Sequence, residues 1–215
     1  MKINPATDVL GVVDVQPTFM PGGELPIVNG ELVVPVINRL LQLFPHAFAT
    51  QDWHPADHAS FASAHAGAKP YDVIRMPYGQ QVLWPDHAIA GTAGAALHPD
   101  LDQAPIEVVI RKGCDRRLDS YSTFFENDHI TPTGLDGWLR QRGFGRLFLT
   151  GLATDFCVAW SAADARQLGY DVFVIEDACR GIGLPTADGR TTMHESREGL
   201  LKCGVVFLQS ADLAA

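Results

Sequence analysis

Six short apolar runs lie along the chain, and each has the length and composition of a β-strand. The runs are continuous rather than alternating in polarity, which is typical of strands covered on both faces of a sheet. They lie at residues 9–13, 46–50, 106–110, 147–150, 172–175 and 205–208. Apolar residues at helical spacing lie between several of them, at residues 32–44, 132–142, 157–168 and 191–201. This alternation predicts an α/β fold with a mostly parallel sheet.

One long stretch, from Pro55 to Pro105, contains no clear strand pattern and is rich in Ala, Gly, Pro, His and Asp. A loop of this length inside a compact domain usually has a function. We interpret it as a large insertion over the carboxyl edge of the sheet and not as a separate domain.

The composition supports one globular domain over residues 1–215, since domains average roughly 150 residues. Hydrophobic residues make up 47% of the chain, which excludes intrinsic disorder. The net charge of −9 argues against binding to nucleic acid or to an anionic membrane. No apolar run is long enough to span a bilayer, and the N-terminus lacks a signal-peptide pattern. The four cysteines include no C-x-x-C pair, so we expect a cytoplasmic protein with reduced thiols.

Reactive and charged residues follow four of the predicted strands. Asp14 follows the first strand, Asp52 and His54 the second, Lys112 the third and Cys157 the fourth. Ligands of parallel α/β proteins bind beyond the carboxyl ends of the strands. We therefore expect these residues to converge on one site.

Cys157 lies where a glycine-containing turn leads into a helix that Thr154 or Asp155 can cap. A thiol at a helix N-terminus is expected to have a lowered pKa, and the same N–H groups can hold an oxyanion. The alternative is a buried structural cysteine. Asp14 and Lys112 form either a structural ion pair or a base and a cation that activate the thiol, and the two roles are compatible.

Asp52 and His54 point to the same side of an extended segment, and His58, His65 and His87 follow. Such ligands suit Zn²⁺, Mn²⁺ or Fe²⁺, although a solvated histidine-rich loop explains the pattern equally well. The aromatic residues near these polar groups are either core residues or the walls of a site for a planar substrate. They are Phe19, Trp84 and Tyr121.

Several motifs together resemble the nicotinamidases of the isochorismatase-like cysteine hydrolase superfamily. They are Val12-Val13-Asp14-Val15-Gln16, Gln51-Asp52-Trp53-His54-Pro55, His58-Ala59-Ser60-Phe61, Trp84-Pro85-Asp86-His87, Arg111-Lys112-Gly113, the segment 119–128 and Gly151-Leu152-Ala153-Thr154-Asp155-Phe156-Cys157-Val158. The resemblance implies a three-layer α/β/α domain whose six-stranded parallel sheet has helices on both faces. It also implies a metal-binding loop insertion at about residues 52–105.

The resemblance further implies the roles of the site residues. Asp14, Lys112 and Cys157 would form the catalytic triad, and Asp52, His54 and His87 would bind a divalent metal ion, with Zn²⁺ as first choice and Mn²⁺ or Fe²⁺ as alternatives. His58 or water would complete the metal shell. A cis peptide bond is implied between Leu152 and Ala153, where the N–H groups of Ala153 and Cys157 would hold the oxyanion.

The implied activity is hydrolysis of nicotinamide to nicotinate and ammonia, in NAD salvage, with pyrazinamide as a further substrate. The substrate ring would pack among Phe19, Trp84 and Tyr121. The implied partner is this small molecule, without nucleic acid or membrane, and a homo-oligomer is an open possibility. Two alternatives remain. One is a related hydrolase of small amides or carbamoyl compounds, and the other is a non-enzymatic metal- or ligand-binding protein with an inert thiol.

Overall fold

One six-stranded parallel sheet forms the centre of the protein, as predicted. The computed structural model describes residues 1–214. The strands of the chain are β1 (Asp8–Val13), β2 (Ala47–Asp52), β3 (Val73–Met76), β4 (Gly79–Val82), β5 (Ile106–Lys112), β6 (Arg146–Leu152), β7 (Asp171–Arg180) and β8 (Val206–Leu208). The central sheet has the order β5-β2-β1-β6-β7-β8, and every neighbouring pair is parallel.

The four predicted helices are present around this sheet. Three are shorter than the apolar spacing indicated, and the fourth is shifted by one residue. They are α1 (Val33–Leu41), α2 (Leu135–Gln141), α3 (Ala159–Gln167) and α4 (Thr192–Lys202). The third predicted helix, residues 157–168, began at Cys157. Residues 154–158 instead form a π-helical turn, and α3 begins only after it.

The strand order explains where a site can form. From β1 the chain moves towards β2 and β5, whereas from β6 it moves in the opposite direction towards β7 and β8. The carboxyl ends of β1 and β6 therefore flank the topological switch point of the sheet, which is the usual ligand crevice of open α/β sheets. Gly151 allows the close approach of these two strands, because a Cβ atom there would overlap with the carbonyl of Val13.

Two details of the sequence-based prediction were wrong. The insertion contains a small antiparallel hairpin, β3–β4, although no strand was expected between residues 55 and 105. All but one of its eight strand residues are exposed or half-buried, so it lacks the apolar run that reveals a core strand. The edge strand β5 is also not covered on both faces, since Val109 is 41% exposed and the burial along the strand alternates.

The core is made by the central strands and the helices that pack on them. All residues of β1 and β2 are buried, and α1 contributes its apolar side. Among residues 1–214, no helix combines the length and the apolar character needed to cross a membrane.

Candidate active site

Asp14 follows β1 directly and is completely buried. Its backbone has a left-handed conformation with φ of 47°, which turns the chain away from the sheet. The Thr50 hydroxyl donates to the Oδ1 atom of Asp14 at 2.6 Å and accepts from its backbone N–H at 3.1 Å. These two bonds leave the Oδ2 atom of Asp14 facing Lys112, at 2.9 Å from its Nζ atom.

Lys112 ends β5, and its ammonium group lies at the centre of the site. The Nζ atom lies 2.7 Å from the carbonyl oxygen of Ser120 and 3.4 Å from the Sγ atom of Cys157, and it also contacts the Oδ1 atom of Asp52. Burial alone would lower the pKa of Lys112, but the surrounding acidic groups raise it well above its ordinary value. Lys112 is therefore a permanent cation in this buried cluster.

Cys157 belongs to the π-helical turn after β6, and its side chain is buried beside Lys112. Burial raises the pKa of the Cys157 thiol well above its ordinary value; Lys112 opposes this rise, whereas Asp14 and Asp52 add to it. The predicted lowering of this pKa was therefore wrong. The physical reason is that the thiol lies inside a π-helical turn and away from water, so its charged form loses hydration.

Asp14 has the properties needed to accept the proton of this thiol. The candidate ligand atoms of Asp14, Asp52 and Cys157 all lie within 4.8 Å of one another. Burial raises the pKa of the Asp14 carboxyl, and Lys112 opposes the rise. A carboxylate with a raised pKa is a stronger base than an exposed one.

Three of the predicted metal ligands converge on one point. The Oδ2 atom of Asp52 lies 3.7 Å from the Nε2 atom of His54 and 3.7 Å from that of His87. The Nδ1 atoms of the two rings pair with backbone carbonyls, of Gly113 at 3.0 Å and of Pro85 at 2.8 Å. Such outer bonds fix the ring so that Nε2 faces a metal ion. The set of one carboxylate and two imidazoles fits a divalent ion such as Zn²⁺.

His58 is close to this cluster but is turned away from it. Its ring lies 4.3 Å from that of His54, between centroids. Its Nε2 atom pairs with the carbonyls of Leu118 and Asp115 at 3.0 and 3.1 Å, and its Nδ1 atom pairs with the Ser60 hydroxyl at 2.7 Å. Both ring nitrogens are thus engaged with protein groups, which favours water over His58 as a further ligand.

The three aromatic residues chosen from the sequence, Phe19, Trp84 and Tyr121, line one cavity above Cys157. The cavity is narrow, with about 20 Å³ of space open to a water-sized molecule. Sequence reasoning did not identify its further lining residues. They are Leu25, Asp119, Phe156 and Ile182. The walls are thus mainly apolar, and the Cys157 thiol and two of the predicted metal ligands, Asp52 and His87, also line the cavity.

The peptide bond between Leu152 and Ala153 is cis, as the resemblance implied. Ala153 also lines the cavity, and its N–H has no hydrogen-bond acceptor among residues 1–214. A free backbone donor beside Cys157 is the feature that an oxyanion site requires.

Sequence reasoning gave Asp155 the wrong role. Asp155 does not cap the helix. Its carboxylate instead accepts the backbone N–H groups of Ile182 and Gly183 at 2.9 and 2.8 Å, and the hydroxyl of Thr192. Asp155 therefore ties the turn of the thiol to the loop that carries a cavity wall.

Gln16 is a further residue whose role was missed, although it lies within a quoted motif. Its side-chain amide donates to the carbonyl of Asp52 and accepts the N–H of Asp52, both at 2.9 Å. This pair of bonds fixes the backbone of Asp52. A glutamine three residues after the end of β1 was the only local signal, and it did not show which strand it would contact.

The fold and this cluster of an acid, an amine and a thiol define the class of protein. The chain belongs to the isochorismatase family, whose domain matches residues 8–196. It is 46% identical to a nicotinamidase from Acinetobacter baylyi over 94% of this chain and 92% of that protein. This confirms the resemblance that the motifs indicated.

The fold is also similar to solved structures of nicotinamidases and pyrazinamidases. A nicotinamidase and pyrazinamidase of Acinetobacter baumanii has a TM-score of 0.93 and 45% identity, and the alignment covers 98% of this chain and 99% of that one. A pyrazinamidase of Pyrococcus horikoshii in complex with zinc has a TM-score of 0.72 and 29% identity, with 94% and 98% covered.

Proposed function

We propose that this protein hydrolyses nicotinamide to nicotinate and ammonia. The observation that carries the proposal is the position of Lys112 Nζ, which lies 2.9 Å from Asp14 and 3.4 Å from the Cys157 sulfur at the base of an aromatic-walled cavity. The similar nicotinamidases and the pyrazinamidase support this substrate class. Pyrazinamide, which has nearly the same shape, is a second expected substrate.

The raised pKa of Cys157 determines how the reaction begins. Because the thiol is protonated in the free protein, Asp14 removes its proton as sulfur attacks the carboxamide carbon. Lys112 stabilises the negative charge on both groups. The N–H groups of Ala153 and Cys157 donate to the oxyanion.

The remaining steps return the enzyme to its starting state. Asp14 gives its proton to the leaving nitrogen, the C–N bond breaks, and ammonia and a thioester are formed. Water then attacks the thioester carbon while Asp14 accepts its proton. The C–S bond breaks, Asp14 returns its proton to sulfur, and the nicotinic acid leaves and loses its carboxyl proton to become nicotinate.

Asp52, His54 and His87 would hold the metal ion, for which we propose Zn²⁺. An ion held there would orient an aromatic ring nitrogen of the substrate and would lower the pKa of bound water. Phe19, Trp84 and Tyr121 would hold the ring between them. We further propose a single domain whose insertion, at about residues 52–105, supplies metal ligands, and a role in NAD salvage in the cytoplasm. Homo-oligomer formation stays a prediction.

The experiment is an ammonia-release assay with the zinc-loaded protein. Nicotinamide, pyrazinamide, benzamide and a carbamoyl compound are compared at equal concentrations. Nicotinamide and pyrazinamide are expected to be hydrolysed fastest, because only they carry a ring nitrogen that a metal ion can orient. Preference for the carbamoyl compound would indicate the related hydrolase, and no ammonia from any amide would indicate a binding protein.

A further inference from the structure

The β3–β4 hairpin buries one polar side chain, although its other strand residues are exposed or half-buried. Gln81 is the buried residue of β4, with an exposure of 1%, whereas its neighbour Gln80 is exposed. An amide buried to this extent costs free energy unless its polar atoms are paired. The contacts of Gln81 therefore show what the hairpin does.

The amide of Gln81 connects the hairpin to the segment after β5. The two N–H groups of its Nε2 atom are shared among three acceptors: the Oδ2 atom of Asp119 at 2.6 Å, the Val82 carbonyl at 2.7 Å and the hydroxyl oxygen of Tyr121 at 3.1 Å. Its Oε1 atom accepts from the Asn127 amide at 3.4 Å. A carboxylate and a carbonyl can only accept, so they determine which end of the amide faces them.

Asp119 and Tyr121 both line the substrate cavity. The indole N–H of Trp84 also donates to the Tyr121 hydroxyl oxygen, at 3.1 Å. The oxygen of Tyr121 thus faces two nitrogen donors, neither of which can accept its proton. That proton has no acceptor among residues 1–214, which leaves it available to a molecule in the cavity.

We propose that Gln81 is a positioning residue of the substrate site. It holds the Tyr121 hydroxyl and the Asp119 carboxylate in the polar part of the cavity wall, and through it the hairpin becomes part of the site. The Tyr121 hydroxyl then donates to the bound amide substrate. This inference rests on the proposed function, since it takes a small neutral carboxamide as the occupant.

The first test compares Gln81→Met with Gln80→Met. Methionine has a similar length and lacks the donors, and the Gln80 variant makes the same change at the exposed neighbouring position. We expect Gln81→Met to raise KM for nicotinamide about threefold to tenfold, the usual range for a lost hydrogen bond. The kcat should change less, because Gln81 contacts neither Cys157 nor Lys112. Gln80→Met should match the wild type, and an unchanged KM in Gln81→Met would overturn the proposal.

A double-mutant cycle separates positioning from a merely structural effect. If Gln81 acts through the Tyr121 hydroxyl, adding Gln81→Met to Tyr121→Phe should raise KM little beyond the effect of Tyr121→Phe alone. Independent effects that multiply would overturn the action of Gln81 through the Tyr121 hydroxyl. Thermal unfolding shows whether each variant folds. If Gln81→Met fails to fold, Gln81→Glu, which places a second carboxylate against Asp119, is measured instead. It should raise KM more than tenfold.

A failure of the proposed role of Gln81 can be distinguished from a failure of the proposed function. If the wild-type protein does not hydrolyse nicotinamide, the proposed function falls, and the same cycle is read from the Kd of nicotinate by calorimetry. If the wild type is active and Gln81→Met has the same KM and the same nicotinate Kd, only the role of Gln81 is overturned.

Discussion

Asp52 shares its carboxylate between Lys112 and the predicted metal site. Its Oδ1 atom accepts a hydrogen bond from the Lys112 ammonium group, and its Oδ2 atom faces the Nε2 atoms of His54 and His87 at 3.7 Å. Although burial would raise it, contact with Lys112 and the two histidines holds the pKa of Asp52 well below its ordinary value. Asp52 therefore couples the charges of the predicted catalytic triad to those of the predicted metal ligands.

Cys157→Ala should abolish turnover, because Cys157 supplies the only buried sulfur next to Lys112 in residues 1–214. We expect a fall in kcat of at least about 10⁴-fold. Metal content should be unchanged, since Asp52, His54 and His87 remain. The matched control is Cys179→Ala, which removes another buried thiol outside the cavity. Normal ammonia release from Cys157→Ala would contradict the covalent mechanism.

Lys112→Met should destabilise the protein as well as inactivate it. It removes the cation that pairs with Asp14 and Asp52, both of which are buried. Breaking a buried ion pair by removal of one partner costs about 3–5 kcal/mol. Urea unfolding of the metal-free proteins measures the loss, and the exposed Lys202→Met is the control, with an expected change within about 0.5 kcal/mol. Equal stability of the two variants would show that the pair is dispensable.

Gly113→Ala should disturb the predicted metal site although none of its ligands is replaced. A Cβ atom at this position would lie 2.5 Å from the Nδ1 atom of His54, which must then move. Gly143→Ala is the control, because it has a similar positive φ but no atom within 4 Å of the added carbon. Elemental analysis should show a loss of bound zinc only in Gly113→Ala. A full zinc content in this variant would argue against His54 as a ligand.

Asp164 on α3 should make stability depend on pH. Its side chain is 6% exposed, and burial raises its pKa, opposed by Ser122 and by His129 at 3.9 Å. A carboxyl whose folded pKa is raised binds more protons in the folded state, so stability falls as pH rises from its ordinary value of 3.8 through the raised value.

The measurement is the free energy of unfolding of Asp164→Asn relative to the wild type between about pH 4 and neutral pH. The relative stability of Asp164→Asn should increase with pH across this window. The matched control is Asp100→Asn, which makes the same change at an exposed position. A constant difference for Asp164→Asn would mean that its carboxyl titrates alike in the folded and unfolded states.

The sequence by itself determined the elements of the central sheet and the residues gathered at its edge. Continuous apolar runs and the polar residues that end them are local patterns, and parallel strands bring their carboxyl ends to one side. Asp14, Lys112 and Cys157 therefore could be predicted to converge. The motifs also indicated the family, because they extend over most of the chain.

Only the tertiary structure decided the electrostatic state of the site and the contacts of its outer residues. The pKa of Cys157 rises because distant segments remove it from water, and no local pattern contains that burial. Gln81 and Asp155 act through partners 38 to 40 and 27 to 37 residues away in the chain. Hydration and long-range hydrogen bonds depend on how segments pack, whereas strand and helix periodicity depends on neighbouring residues alone.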